Sequence, residues 1–241
     1  VSRWAAVLLW LSPLADLGLP SAGARAAVSP QLEAQILETI RKHPDVILEA
    51  LNDYRKRQLQ QQEARAQKTA QAMRQDPRAF IGDSPVLGDR TARSVLFIFS
   101  DFQCPYCARA NPILRAFSQK HPEVALVYKH LPLAAIHPEA IPAAAASWAA
   151  QQQGQFWPYH DKLLTNQDQL GDAWYRQAAR ELGLNPARFE RDRNSEAAQA
   201  AIERDLAMAE SLGLAGTPAF VLNGELFTGL VDVADLEKAL R

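Results

Sequence analysis

Val95-Leu96-Phe97-Ile98-Phe99 is an unbroken apolar run, the pattern of a strand buried on both faces. Before it the period is helical. Gln31 to Arg41 sets Leu32, Ile36 and Ile40 on one face, Pro44 interrupts, and from Asp45 the set Ile47, Leu51 and Tyr54 resumes the spacing. The continuation through Gln58, Gln61, Arg65 and Lys68 is polar on that same face, so no long coiled-coil seam is expected. Two readings stand: a solvated spacer helix, or an association surface formed from Leu32 to Tyr54. After the apolar run, Ala108 to Gln119 reads as helical despite Pro112. Between Pro138 and Gly213 the helical stretches are Ala143–Ala150, Phe156–Leu164, Asp172–Leu182 and Ser195–Leu212. The chain then returns to strands: Phe220-Val221-Leu222 turns through Asn223-Gly224 into Leu226-Phe227-Thr228.

Charge narrows the partners. Lys+Arg 26 against Asp+Glu 27 leaves a formal net charge of -1, with no polybasic field to draw nucleic acid or an anionic membrane. At the N-terminus Arg3 precedes the apolar run Trp4 to Leu11, then Pro13, Pro20 and small residues ending Ala24-Arg25-Ala26, the pattern of a signal peptide over residues 1–26. Ala22-Gly23-Ala24 offers a second cleavage site. The run falls well short of the roughly 20 residues that span a bilayer, so the expectation is a mature protein soluble in the periplasm or another extracytoplasmic space.

In such a compartment cysteines commonly serve as staples. This sequence has 2, at Cys104 and Cys107, and a bridge between them closes too small a loop to restrain much of the unfolded chain. The pair needs another purpose. A strand running into Cys104-Pro105-Tyr106-Cys107 and then a helix puts Cys104 at the helix start, with Pro105 at the first helical position. Unpaired N–H groups and the helix dipole there favour a thiolate. The expectation is an exposed Cys104 thiolate beside a shielded Cys107, with Pro105 and Tyr106 tuning the pair from between the sulfurs. Zinc is disfavoured, because there is no third cysteine and His43, His121, His130, His137 and His160 form no H-x3-5-H pair. A Cu(I) carrier remains the alternative of a different class, although Met73 and Met208 make no methionine reservoir. Trp148, Phe156, Trp157 and His160 read as packing residues.

Gly216-Thr217-Pro218-Ala219-Phe220, with a Thr-Pro opening a strand, has the form of a cis-proline loop. Together with FIFSDFQCPYC, ALVYKHLPL, HPEAIPAAAASWAAQQQGQFWPYHDKLL and LGLAGTPAFVLNGELFTGLVDVADLEKAL, it makes the chain similar to the DsbA-like family of extracytoplasmic disulfide oxidoreductases. HPDVILEALNDYRKRQ resembles the extension of the suppressor-of-copper-sensitivity C type members, some of which are oligomeric isomerases. The stretch from Cys107 to Pro218 is too long for a minimal thioredoxin or glutaredoxin, and a helical insertion accounts for it.

The resemblance implies an α/β, thioredoxin-like fold over residues 83–241 with an inserted helical domain at about 138–213. Residues 27–82 would precede it as a helical extension and candidate oligomerisation region. It implies Cys104 and Cys107 as the catalytic redox pair, and Thr217 and Pro218 as the substrate-side half of the site. Lys129 matches a position where relatives place a buried basic residue that tunes the thiols. The family's buried Glu is replaced by Ile98, with Asp101 as a candidate substitute. Implied partners are unfolded or misoxidised exported proteins and a membrane redox protein that resets the pair, with no cofactor or metal. A glutathione-linked reductase is a further alternative.

Overall fold

The computed structural model describes residues 29–240; the expected signal peptide, 1–26, lies outside them. Ser29 caps the first helix, α1 (Pro30–Lys42), accepting the Leu32 N–H at 3.2 Å. Helix α2 (Pro44–Gln75) follows after His43. The chain divides into two compact units after Arg55. In the first, Leu32, Ile36, Ile40, Ile47, Leu51 and Tyr54 are all between 41% and 56% exposed, so the predicted apolar stripe exists and lies open among the described residues.

The second unit begins at Lys56 and so takes in the rest of α2, which is not a solvated spacer to its end. Ala70 and Met73 pack against Ile81, Val95, Phe97, Leu212 and Val221. The fit is close at one turn. Asn223 (φ 52) and Gly224 (φ +77) form the expected tight hairpin, and a Cβ on Gly224 would come within 2.7 Å of the Ala70 carbonyl oxygen.

A five-stranded sheet forms the centre, in the order β1-β3-β2-β4-β5. The strands are β1 (Val86–Leu87), β2 (Ser94–Ser100), β3 (Val124–His130), β4 (Ala219–Leu222) and β5 (Glu225–Thr228). Strands β2 and β3 are parallel; β4 runs antiparallel to β2, and β5 to β4. Covered on both faces and paired on both edges, β2 is buried from Val95 to Ser100, which is why its sequence is continuous rather than alternating. Val95, Phe97 and Phe99 meet Ala125, Val127 and α2 on one side. Leu96 and Ile98 meet Leu126, Phe220 and helix α3 (Pro105–Lys120) on the other.

Between β3 and β4 lies the expected helical insertion: α4 (Ala140–Gln151), α5 (Phe156–Thr165), α6 (Asp172–Glu181), α7 (Pro186–Arg193) and α8 (Glu196–Ser211). The chain closes with α9 (Val233–Ala239), which packs on α3. Helix α4 is lined by Ala143, Ala144, Ala146, Ala149 and Ala150, small enough for α5, α7 and α8 all to approach it. Helix α7 has no counterpart in the sequence expectation. It buries only Phe189, so its hydrophobic period is too weak to read, yet Asn185 caps it by accepting the Arg188 N–H at 2.9 Å.

Candidate active site

Strand β2 ends at Ser100 and helix α3 begins at Pro105, so three residues of turn lead to Cys104 at the helix N-cap. The buried Asp101 organises that turn. Its carboxylate accepts the Gln103 N–H at 2.8 Å, the Leu133 N–H at 2.9 Å and His137 Nδ1 at 2.8 Å. With its oxygens committed to these three donors, Asp101 does not stand in for the missing acid. Its contribution to the redox pair is its own backbone N–H, 3.5 Å from Cys107 Sγ. Gln103 Oε1 accepts the Glu139 N–H at 2.8 Å, tying the same turn to the start of α4.

Both cysteines are free thiols. Cys107 is shielded as expected, 2% exposed, but Cys104 is not open: it is only 4% exposed. The covering element comes from the far end of the chain. Cys104 Sγ donates to the Thr217 carbonyl at 3.4 Å, and the Thr217-Pro218 bond is cis. Tyr106, by contrast, is 53% exposed, with the Arg109 guanidinium 5.7 Å from its ring.

The two sulfurs differ sharply in acidity. A hydrogen bond from the Cys107 thiol, helped by the N–H groups of Cys107 and Tyr106, lowers Cys104 from the ordinary 9.0 to about 5 against the opposing effect of burial. Burial pushes Cys107 the other way, and its bond to the Cys104 sulfur adds to the shift. The helix start expected from the sequence is therefore real but secondary to the partner thiol.

Lys129 is buried, as the resemblance implies, but the structure does not bring it to the sulfurs. Its ammonium lies 3.2 Å from Asp205 Oδ1 and 3.4 Å from the Ile81 carbonyl. Along β3 side chains alternate, so Lys129 faces away from its neighbour Tyr128, which shares a buried cluster with Cys107. Ile98 lies among Ala110, Leu114 and Phe220 and supplies no proton acceptor.

Gln167 was not legible as a site residue. Its amide donates to the Phe102 carbonyl at 2.7 Å and the Cys104 carbonyl at 2.9 Å, fastening the insertion to the active-site turn. Nothing in its local pattern signals this, since the contact spans more than sixty positions. Among the described residues no group of three or more His, Cys, Asp or Glu side chains could hold a metal ion.

A family model described as Thioredoxin matches residues 81–241. The chain is similar to a thioredoxin-like oxidoreductase from Silicibacter pomeroyi DSS-3, with 32% identity and a TM-score of 0.62, covering 66% of this chain and 91% of that one. It is also similar to Proteus mirabilis ScsC in a transitional conformation, with 26% identity and a TM-score of 0.62 over 90% of this chain and 97% of that one. The Na(+)/H(+) antiporter NhaA 3 of Salinispora tropica is 36% identical over 155 residues, 64% of this chain and 24% of the antiporter. The chain thus spans about a quarter of the length of the curated relatives it matches. No helix among the described residues is long and apolar enough to cross a membrane.

Proposed function

The chain belongs to the thioredoxin family, in its DsbA-like and ScsC-like branch, and we propose that it is a thiol:disulfide oxidoreductase that forms or isomerises disulfides in exported proteins outside the cytoplasm. One observation carries the reading: the Cys104 sulfur sits at the start of α3, between the Cys107 thiol and the cis Thr217-Pro218 loop.

In the oxidising direction a substrate thiolate attacks Cys104 Sγ of the Cys104–Cys107 disulfide. The enzyme S–S bond breaks, Cys107 leaves as the thiolate and takes up a proton, and a mixed disulfide joins substrate to Cys104. A second substrate thiolate then displaces Cys104. The substrate is oxidised by two electrons, the enzyme pair reduced by two. In the reverse direction the Cys104 thiolate attacks a substrate disulfide, and Cys107 resolves the mixed disulfide. The low pKa of Cys104 favours its departure and stabilises the reduced pair, so the oxidised pair acts as a strong oxidant.

Unfolded or misoxidised exported proteins are the proposed substrates, and a membrane redox protein the proposed resetting partner. The open apolar stripe from Leu32 to Tyr54 supports homo-oligomerisation through the extension. The test uses the full mature chain with a reduced dithiol peptide and a scrambled disulfide protein. Cys104→Ser should abolish exchange with both, and Cys107→Ser should trap substrate on Cys104. Exchange no faster than free dithiol, with tight Cu(I) binding, would overturn the reading. A reduction potential near about -120 mV supports an oxidant or an isomerase held reduced, and one near roughly -270 mV a reductant.

A further inference from the structure

We propose that the segment from Leu133 to Ile141 is a docking surface that selects apolar, extended polypeptide next to the reacting cysteine. This rests on the exchange reading and deepens it, by naming what the Cys104 site accepts. The segment joins β3 to α4, and its polarity is inverted. Connecting segments ordinarily turn polar side chains to water. Here Ala134, Ala135, Ile136, Pro138 and Ile141 are exposed, while the two polar side chains of the segment, His137 and Glu139, are half-buried. Ile136 is 71% exposed and Ile141 48%.

Both polar side chains hold the segment in place. His137 Nδ1 lies 2.8 Å from the Asp101 carboxylate, which also accepts the Leu133 N–H at 2.9 Å. Glu139 donates its N–H to Gln103 Oε1 at 2.8 Å and accepts the Tyr175 hydroxyl at 2.8 Å. The Ile136 and His137 N–H groups both close onto the Leu133 carbonyl at 3.0 Å, so the turn that carries Ile136 is hydrogen-bonded within itself. Asp101 and Gln103 belong to the turn that leads into Cys104, and the exposed Tyr106 lies two residues past that sulfur. The apolar face is therefore fixed beside the reacting cysteine before any substrate arrives.

Single exposed apolar residues are ordinary on a protein surface. An apolar run held rigid by polar groups that face inward is different, because its burial waits on a second molecule. The occupant is the substrate chain. It is joined to Cys104 Sγ during exchange, so the residues flanking its cysteine come to lie against the elements around that sulfur, of which this segment and the Thr217-Pro218 loop are two. The exposed side chains of the segment carry no charge, which favours chain rich in leucine, valine or phenylalanine. That is the chain a folded protein buries and an unfolded one exposes. A small polar thiol such as glutathione gains nothing from such a face.

The experiment mixes the full oxidised protein with reduced two-cysteine peptides of equal length, the cysteines flanked by leucine and valine in one and by serine in the other. Acid quench and mass spectrometry follow the transfer of the disulfide. The unsubstituted protein should show a kcat/KM about tenfold higher for the apolar peptide, with the preference lying in KM, as partial burial of two isoleucines against apolar chain predicts. With Ile136→Ser and Ile141→Ser combined, the ratio between the two peptides should fall toward one. Ile136→Ser alone carries the test if the double variant does not fold, and should lower the ratio about threefold. A parent ratio near one, a ratio that survives substitution, or equal slowing with both peptides overturns the inference. So does a change in oligomeric mass with the ratio kept, which would give the face to a second copy of the chain. Failure of the unsubstituted protein to oxidise either peptide would instead sink the exchange reading itself.

Discussion

Replacing Cys107 with alanine removes the hydrogen bond that does most to stabilise the Cys104 thiolate, while leaving the N–H groups of the helix start in place. A hydrogen bond to a charged acceptor contributes about 1.5–3 kcal/mol. At about 1.4 kcal/mol per pKa unit, the loss corresponds to roughly one to two units. Cys104 should therefore move from about 5 into the range of about 6 to 7. At pH 5 the thiolate fraction should fall from about one half to between about a tenth and a hundredth. Thiolate absorbance near 240 nm and the rate of iodoacetamide alkylation, each followed against pH, read this directly. Linkage fixes the accompanying sign. Because the folded thiol is depressed from 9.0 to about 5, its contribution to stability of the reduced fold is complete above 9.0 and is lost as pH falls through about 5. The alanine variant should lose that contribution at higher pH than the parent. A midpoint that stays near 5 would refute the assignment and leave the opening of α3 as the dominant cause. A parent midpoint near 9 would refute the geometry altogether.

Gly224→Ala should destabilise the fold by about 1–3 kcal/mol, since the added Cβ meets the Ala70 carbonyl at a positive φ; the denaturant midpoint measures it. Lys129→Ala leaves Asp205 buried without its cation and should cost about 3–5 kcal/mol in the same assay. The Cys104 titration should stay where it was, and a shift of a full unit would return Lys129 to a tuning role. Gln167→Ala removes the donor shared by the Phe102 and Cys104 carbonyls and should cost about 1–2 kcal/mol. Hydrogen exchange of the turn from Asp101 to Cys104 should rise with it, whereas protection equal to the parent would show the tether to be dispensable.

Several features were written in short-range pattern alone. The run Val95 to Phe99, Pro105 at a helix start, Asn223-Gly224 between strands and the spacing of Cys104 and Cys107 each dictate local geometry through sterics, turn chemistry and backbone hydrogen bonding. The resemblance carried by FIFSDFQCPYC and the Thr217-Pro218 loop then implied the fold, and the sheet order and family match bear it out. Tertiary structure decided the rest, because it depends on which distant segments close on one another. It covered Cys104 with Thr217 and gave its acidity mainly to the Cys107 thiol. It committed Asp101 to the segment from Leu133 to His137, turned Lys129 toward Asp205, and set the end of α2 against the Gly224 hairpin. A side chain's type fixes which hydrogen bonds and charges it can offer, but only the packed sheet and insertion determine which of them the sulfurs meet.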